Sequence, residues 1–228
     1  MVAGHGPAAA RYRVAHPPMA NGLAWNSSFF LGTAVTTITP MNVQPRVPMD
    51  KDTFLAWAQG HEGRFELVER HVVMMVGGSK TYALIASQLI RALWARIDVA
   101  KWVVLGSDLA VDVGPGSLRY PDAIVDSIGG QRALVATGPV LIAEVLSPSS
   151  ATLDLGDKAA EYLRLPSLAA YLVLSQDEIK AWVYLKGSDQ QPGPQVITGA
   201  SAAIGVPALG INLPLAEIYA GVEFENAP

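Results

Sequence analysis

The order of elements between residues 81 and 174 (helix, three strands, helix, strand) predicts an α/β fold with a central mixed β-sheet flanked by helices. Two stretches anchor that reading. Residues 140–145 (V-L-I-A-E-V) form a continuous apolar run broken by Glu144 alone, the pattern of a strand buried on both faces. Residues 81–97 form the strongest helix of the chain, with Leu84, Ile85, Leu89, Leu93 and Ile97 on one broad apolar face.

The other elements follow in order. Asp50 or Asp52 is placed to cap a short helix through Phe54, Leu55 and Trp57 that ends near Gly60. Residues 64–76 read as two strands joined by a tight turn at Glu69-Arg70 and ended by Gly77-Gly78. Residues 102–113 read as a strand region bent at Gly106, with Asp108 and Asp112 on its exposed face. Residues 120–126 give a short strand, with Pro121 at a tolerated opening position. The buried run at 140–145 comes next, and after Ser147-Pro148 the spacing turns helical. Asp154, Lys158 and Glu161 then share one helix face, at i, i+4 and i+7. Residues 168–174 and 179–185 are two antiparallel strands about a turn at Gln176-Asp177. Beyond a Gly/Pro/Gln-rich loop at 187–194 come a weak strand at 195–198 and a terminal helix near 214–220.

Bulk composition narrows the function classes. A chain of 228 residues, 50% of them apolar, fits one domain with an extension. There is no cysteine, which excludes disulfides and thiolate metal sites and is compatible with a reducing, cytoplasmic setting. No apolar run reaches the roughly 18 residues of a membrane span. Residues 1–48 hold Arg11, Arg13 and Arg46 and no acid, leaving the body from Met49 with 13 basic against 20 acidic residues. We read residues 1–48 as a poorly ordered extension or the product of an upstream start codon, and residues 49–228 as the domain. A body so acidic does not bind nucleic acid through general charge, so any DNA contact needs a local patch or a metal ion.

Glu144 is the most informative residue. A buried carboxylate without a partner loses several kcal/mol of solvation, on the order estimated for real proteins, and its apolar strand offers no bland reason for it. Asp122 stands at the mouth of the preceding strand. Adjacent strands lie about 4.8 Å apart, so Asp122 and Glu144 are placed to hold one divalent ion between them. Oxygen-only ligation suits Mg²⁺ or Mn²⁺. Lys158, from the following helix, is placed to orient a water or offset charge on a phosphate. Singly, Pro-Asp is a common turn pair and Lys158 an ordinary solvated helix residue; together, in this order, the three are specific.

The pattern Pro121-Asp122, then Glu144 in E-V-L-S-P-S, then Asp154, Lys158 and Tyr162 resembles the Uma-two family of restriction-endonuclease-like proteins, within the PD-(D/E)xK nuclease superfamily. The resemblance covers about residues 49–219 and includes F-E-L-V-E near the start. It implies a restriction-endonuclease-like core, metal ligation by Asp122 and Glu144, Lys158 as a relocated catalytic lysine, and Glu66 as a further acidic group at the site. The usual superfamily lysine falls two residues after the Glu, where this chain has Leu146. Arg70 and His71 replace the Gly of the family's hairpin turn, and Tyr82 falls near the place where many members have a His.

The remaining polar residues read as bland. No His pair has metal-ligand spacing, Ser147 lacks the glycines of a nucleophile elbow, and Gly77-Gly78-Ser79-Lys80 lacks the spacing of a phosphate-binding loop. The expectation is a Mg²⁺- or Mn²⁺-dependent DNA endonuclease, a homodimer by analogy. Its rivals are an inactive nuclease-fold domain serving protein interaction, and a metal-dependent hydrolase of something other than DNA.

Overall fold

The computed structural model describes residues 47–147, 151–187 and 193–224. The expected extension at 1–48 lies outside them save for Val47 and Pro48, as do Pro148 and most of the loop at 187–194.

The first helix, α1 (Lys51–Gln59), is capped by Asp50, whose side chain accepts from the Thr53 backbone N–H at 2.8 Å. It drops Phe54 into a small core with Leu67, Ala110 and Leu118. Strands β1 (Phe65–Val68) and β2 (His71–Met74) form the expected hairpin, in register Val68↔His71. Its two turn residues, Glu69 and Arg70, both have positive φ, at 47° and 68°. A two-residue hairpin turn that follows the strand twist demands this, and Asn-Gly supplies it without strain. Here backbone bonds hold the turn instead: Arg70 N donates to Gly116 O and Met49 N to Arg70 O, each at 2.7 Å.

Ser79 caps α2 (Lys80–Trp94), accepting from Tyr82 N at 3.0 Å. The helix stops a turn earlier than its apolar spacing implies, and Ile97 is buried from the turn that follows. The strand region expected at 102–113 is two strands in different sheets. Here β3 (Trp102–Leu105) pairs with β6 (Ala123–Ser127), whereas β4 (Val111–Gly114) pairs with β5 (Ser117–Arg119), an element that the sequence pattern does not reveal. Asp112 is exposed on β4 as expected, but Asp108 sits in the intervening turn.

Next come β7 (Leu141–Val145), α3 (Ala151–Leu155), α4 (Asp157–Tyr162), β8 (Ala170–Leu174) and β9 (Lys180–Leu185). After them follow β10 (Gln195–Thr198), a hairpin of β11 (Ala203–Val206) and β12 (Ile211–Pro214), and α5 (Leu215–Ile218). The main sheet runs β10-β9-β8-β7-β6-β3 and is mixed, because only β7 and β8 are parallel; the helical crossover through α3 and α4 permits that pairing. A second sheet runs β2-β1-β5-β4. All five residues of β7 and all five of β8 are buried. The alternation of side chains gives Ala123, Val125, Ala143 and Val145 to the core under α2, and Ile124 and Ile142 to the core under α4. By that parity Glu144 belongs to the face that meets α4. Among the described residues, no helix is long and apolar enough to cross a membrane.

The turn carries a test. A non-glycine residue in the left-handed region costs about 1–2 kcal/mol. Replacing Glu69→Asn together with Arg70→Gly is expected to raise the melting temperature by about 2–4 °C, the shift of about 1 kcal/mol in a domain of this size. An unchanged or lower melting temperature would show that the backbone bonds already absorb the strain.

Candidate active site

Three elements converge on Glu144. The strand β6 pairs with β7 in register Ala123↔Ala143, so Asp122 lies one residue beyond that pair, across from Glu144. The carboxylate of Asp122 accepts from Val145 N at 2.7 Å through Oδ2, and from the Tyr82 hydroxyl through Oδ1. On the other side, Glu144 Oε1 accepts from Lys158 Nζ at 2.9 Å and from the Tyr162 hydroxyl at 3.0 Å. Lys158 is buried, not solvated, and also stands 3.1 Å from Asp154 Oδ1. That oxygen is within ion-pair range of the ammonium but outside hydrogen-bonding geometry, and it accepts no hydrogen bond.

The helix expected to carry Asp154, Lys158 and Glu161 on one face is broken at Gly156. A break leaves carbonyls at the end of the first segment without partners. Two hydroxyls supply them: Tyr171 donates to Asp154 O at 2.9 Å and Tyr184 to Leu155 O at 3.0 Å. With Tyr162 these tyrosines stack in a row, ring centroids 5.1 and 5.6 Å apart, between the sheet and the break. Asp154 and Lys158 stay together across the break, while Glu161 turns to a different partner, Arg119.

Arg119 was not singled out by sequence, because β5 is too short to show a pattern. Its guanidinium grips Glu161 with two bonds, 2.7 and 3.0 Å, and reaches Glu66 at 3.1 Å. Glu66 also accepts from Tyr120 N at 3.1 Å. The planar fork of arginine suits this bidentate grip, and it ties β1, β5 and α4 into one frame behind Lys158. Thus Glu66 does lie at the site, facing the same cavity as Glu144 and Lys158, with its carboxylate oxygens engaged by the frame.

Electrostatics follow from this crowding. Burial pushes the Glu144 carboxyl up to about 8 against the pull of Lys158, and Asp122 and Asp154 add to the rise. Burial also raises Asp122, opposed by its bonds from Tyr82 and Val145. Although burial works against its charge, the Glu144, Glu66 and Asp154 carboxylates hold Lys158 above the usual lysine range. Three carboxyl groups, those of Glu144, Asp122 and Asp154, thus crowd one ammonium, and the rise of Glu144 toward its protonated form answers that crowding.

Among the described residues, no group of three or more His, Cys, Asp or Glu side chains is arranged to hold a metal ion. Two carboxylates suffice for a hard ion that keeps several waters. The donors of Asp122 and Glu144 are all oxygen, and Asp154 carries a buried oxygen that accepts no hydrogen bond. Each carboxylate oxygen has a second lone pair, so the bonds to Asp122 do not exhaust it. The residues fit Mg²⁺ or Mn²⁺.

A central mixed sheet flanked by helices is the restriction-endonuclease-like core that the resemblance in sequence implies. The chain belongs to the family described as "Putative restriction endonuclease", which matches residues 52–216. Two uncharacterized proteins of Synechocystis sp. (strain ATCC 27184 / PCC 6803 / Kazusa) are similar to it. The first is 28% identical over 188 residues, 79% of this chain and 97% of the relative. The second is 28% identical over 131 residues, 55% of this chain and 74% of the relative. The fold is similar to the crystal structure of "a putative nuclease belonging to DUF820" from Anabaena variabilis ATCC 29413. The TM-score is 0.62 at 16% identity, over 77% of this chain and all of that one.

The frame and the carboxylate are separately testable. Arg119→Met leaves Glu66 and Glu161 without their counter-charge; breaking a buried pair in this way costs about 3–5 kcal/mol, which denaturant unfolding would register. A loss below about 1 kcal/mol would mean that water replaces the arginine. For Glu144, the folded state holds its proton up to about pH 8, whereas an unfolded carboxyl releases it near the ordinary value of about 4.3. Its contribution to stability is therefore present below that ordinary value and is lost as pH rises through about 8. In thermal melts from acid to alkaline pH, Glu144→Gln should gain on the wild type as pH rises. A gap that does not change with pH would contradict the shift.

Proposed function

We propose that this domain is a divalent-metal-dependent endonuclease that hydrolyses phosphodiester bonds of DNA in a cytoplasmic setting. The observation that carries the reading is the buried trio of Asp122, Glu144 and Lys158, drawn from the entrance of β6, from β7 and from α4. Family membership supports the nuclease class. Asp122 and Glu144 would hold Mg²⁺ or Mn²⁺, which supplies Lewis acidity and charge neutralisation when bound.

The chain's own residues do the rest. Lys158 keeps its proton, so it does not act as a base; its ammonium donates to the attacking water or to a phosphate oxygen as charge builds in the transition state. Glu144 and Asp154 fix the position of that ammonium from two sides. Tyr162 fixes Glu144 in turn. Glu66 and Arg119 act at one remove, by seating α4.

Supercoiled plasmid incubated with Mg²⁺ or Mn²⁺, against a chelator control, tests the reading. Nicked and linear products should require the metal. Asp122→Ala should lose metal binding and cleavage together, and Lys158→Ala should lose cleavage while its metal affinity holds or rises slightly. Undiminished cleavage by Lys158→Ala would remove the lysine from the chemistry. Metal-independent cleavage, or none in any metal, would sink the reading.

A further inference from the structure

The site opens into a cavity of about 810 Å³, within the usual range for small-molecule sites. Its two walls differ in chemistry. One is the ionic wall of Glu66, Glu144, Asp154 and Lys158. The other is the outer strand β2 and the chain after it, which present Val73, Met75 and Val76, with Phe224 and Tyr82 alongside. Val76 is 92% exposed and Val73 37%, with nothing described covering them, and Val73 pairs with Glu66 across the hairpin and so shares its face, whereas Met74 pairs with Phe65 on the other face. The charge is lopsided as well: with Asp177 and Glu223, the lining holds five carboxylates and a single ammonium among the described residues.

Resting on the nuclease reading, we propose that the preferred substrate is single-stranded DNA, with an unpaired nucleobase seated against Val73, Met75 and Val76 while its phosphate meets Lys158. A duplex brings one negative charge per about 1.7 Å of its axis, and proteins that hold it neutralise several phosphates with Lys or Arg. Among the described residues this cavity has one such cation, already committed to Glu144 and Asp154, and its carboxylates repel further phosphates. A single strand makes a smaller demand. It can present one phosphate to the ionic wall and turn a neutral, polarisable base toward the other. Thioethers and aromatic rings accept such a base, and stacking of this kind tolerates any sequence. Base pairing would hide the very surface that the apolar wall is shaped to meet.

Fluorescence anisotropy in Ca²⁺ measures binding without turnover, using one labelled oligonucleotide as a single strand, as its duplex, and with abasic residues. Cleavage of the same three probes in Mn²⁺ runs in parallel. The expected result is single-strand binding at least tenfold tighter than duplex, with the abasic probe about tenfold weaker than the intact strand. A Val73→Ser, Val76→Ser variant should lose a similar factor for the intact strand and almost none for the abasic one, at unchanged melting temperature. Duplex bound and cut as well as the single strand would overturn the proposal and leave the nuclease reading standing. So would equal binding of intact and abasic strands. Preferential binding of the intact strand with no cleavage of any probe would support the base site and count against hydrolysis. Failure to bind any probe would overturn both.

Discussion

The molecule depends on one buried contact, the hydrogen bond from Lys158 to Glu144. Glu144 occupies the middle of the sheet, on a strand with neighbours on both sides, where an isolated carboxylate costs several kcal/mol, on the order estimated for real proteins. Lys158 and Tyr162 both donate to the same oxygen of Glu144, and they come from successive turns of α4. Docking α4 on the sheet is therefore the condition for burying Glu144 at tolerable cost. Arg119, with its bidentate hold on Glu161, secures a third residue of the same short helix. Fold and site share their supports, so the lysine cannot be displaced without exposing or orphaning the carboxylate.

How much of this could be read from sequence depended on whether the signal was local. The strand at 140–145 announced itself, since an apolar run broken by one Glu is the mark of a buried strand with a task for that carboxylate. Lys158 was legible only through its spacing from Asp154 and its order after Glu144. The hairpin at Glu69-Arg70 was found although neither turn residue is one that positive φ favours. What failed was non-local. Nothing in residues 102–113 says that the chain changes sheets after Leu105, because both strands satisfy the same apolar alternation. The break at Gly156 is stabilised by hydroxyls of Tyr171 and Tyr184, which are more than a dozen residues away. Arg119 lies in a three-residue strand, too short to show periodicity, and its partners are 53 and 42 residues distant.

Tyr82 shows how one residue can serve several levels. It opens α2 next to the capping Ser79, and its hydroxyl reaches Asp122 beneath the cavity. Burial and the Asp122 and Glu144 carboxylates keep that hydroxyl protonated, hence a donor. The end of β7 is clamped nearby: Ser79 Oγ donates to Gln176 at 2.6 Å, and Gln176 donates to Leu146 O. The helix entrance, the sheet end and the carboxylate are thus held by a single chain of side-chain bonds.

The lysine belongs to a peripheral helix and not to the strand that bears Glu144, and this separates two kinds of order. Had it followed Glu144 on β7, the pleat alone would fix their spacing, and nothing short of melting the sheet would part them. As it is, α3 and α4 form a short crossover on the sheet's outer layer. Segments of that kind open locally at a free energy below that of global unfolding. Each such opening would carry the cation away while the six-stranded sheet stayed whole. Catalytic competence would then track the closed population of one small segment, and amide exchange in residues 157–162 would report it while the sheet amides remained silent.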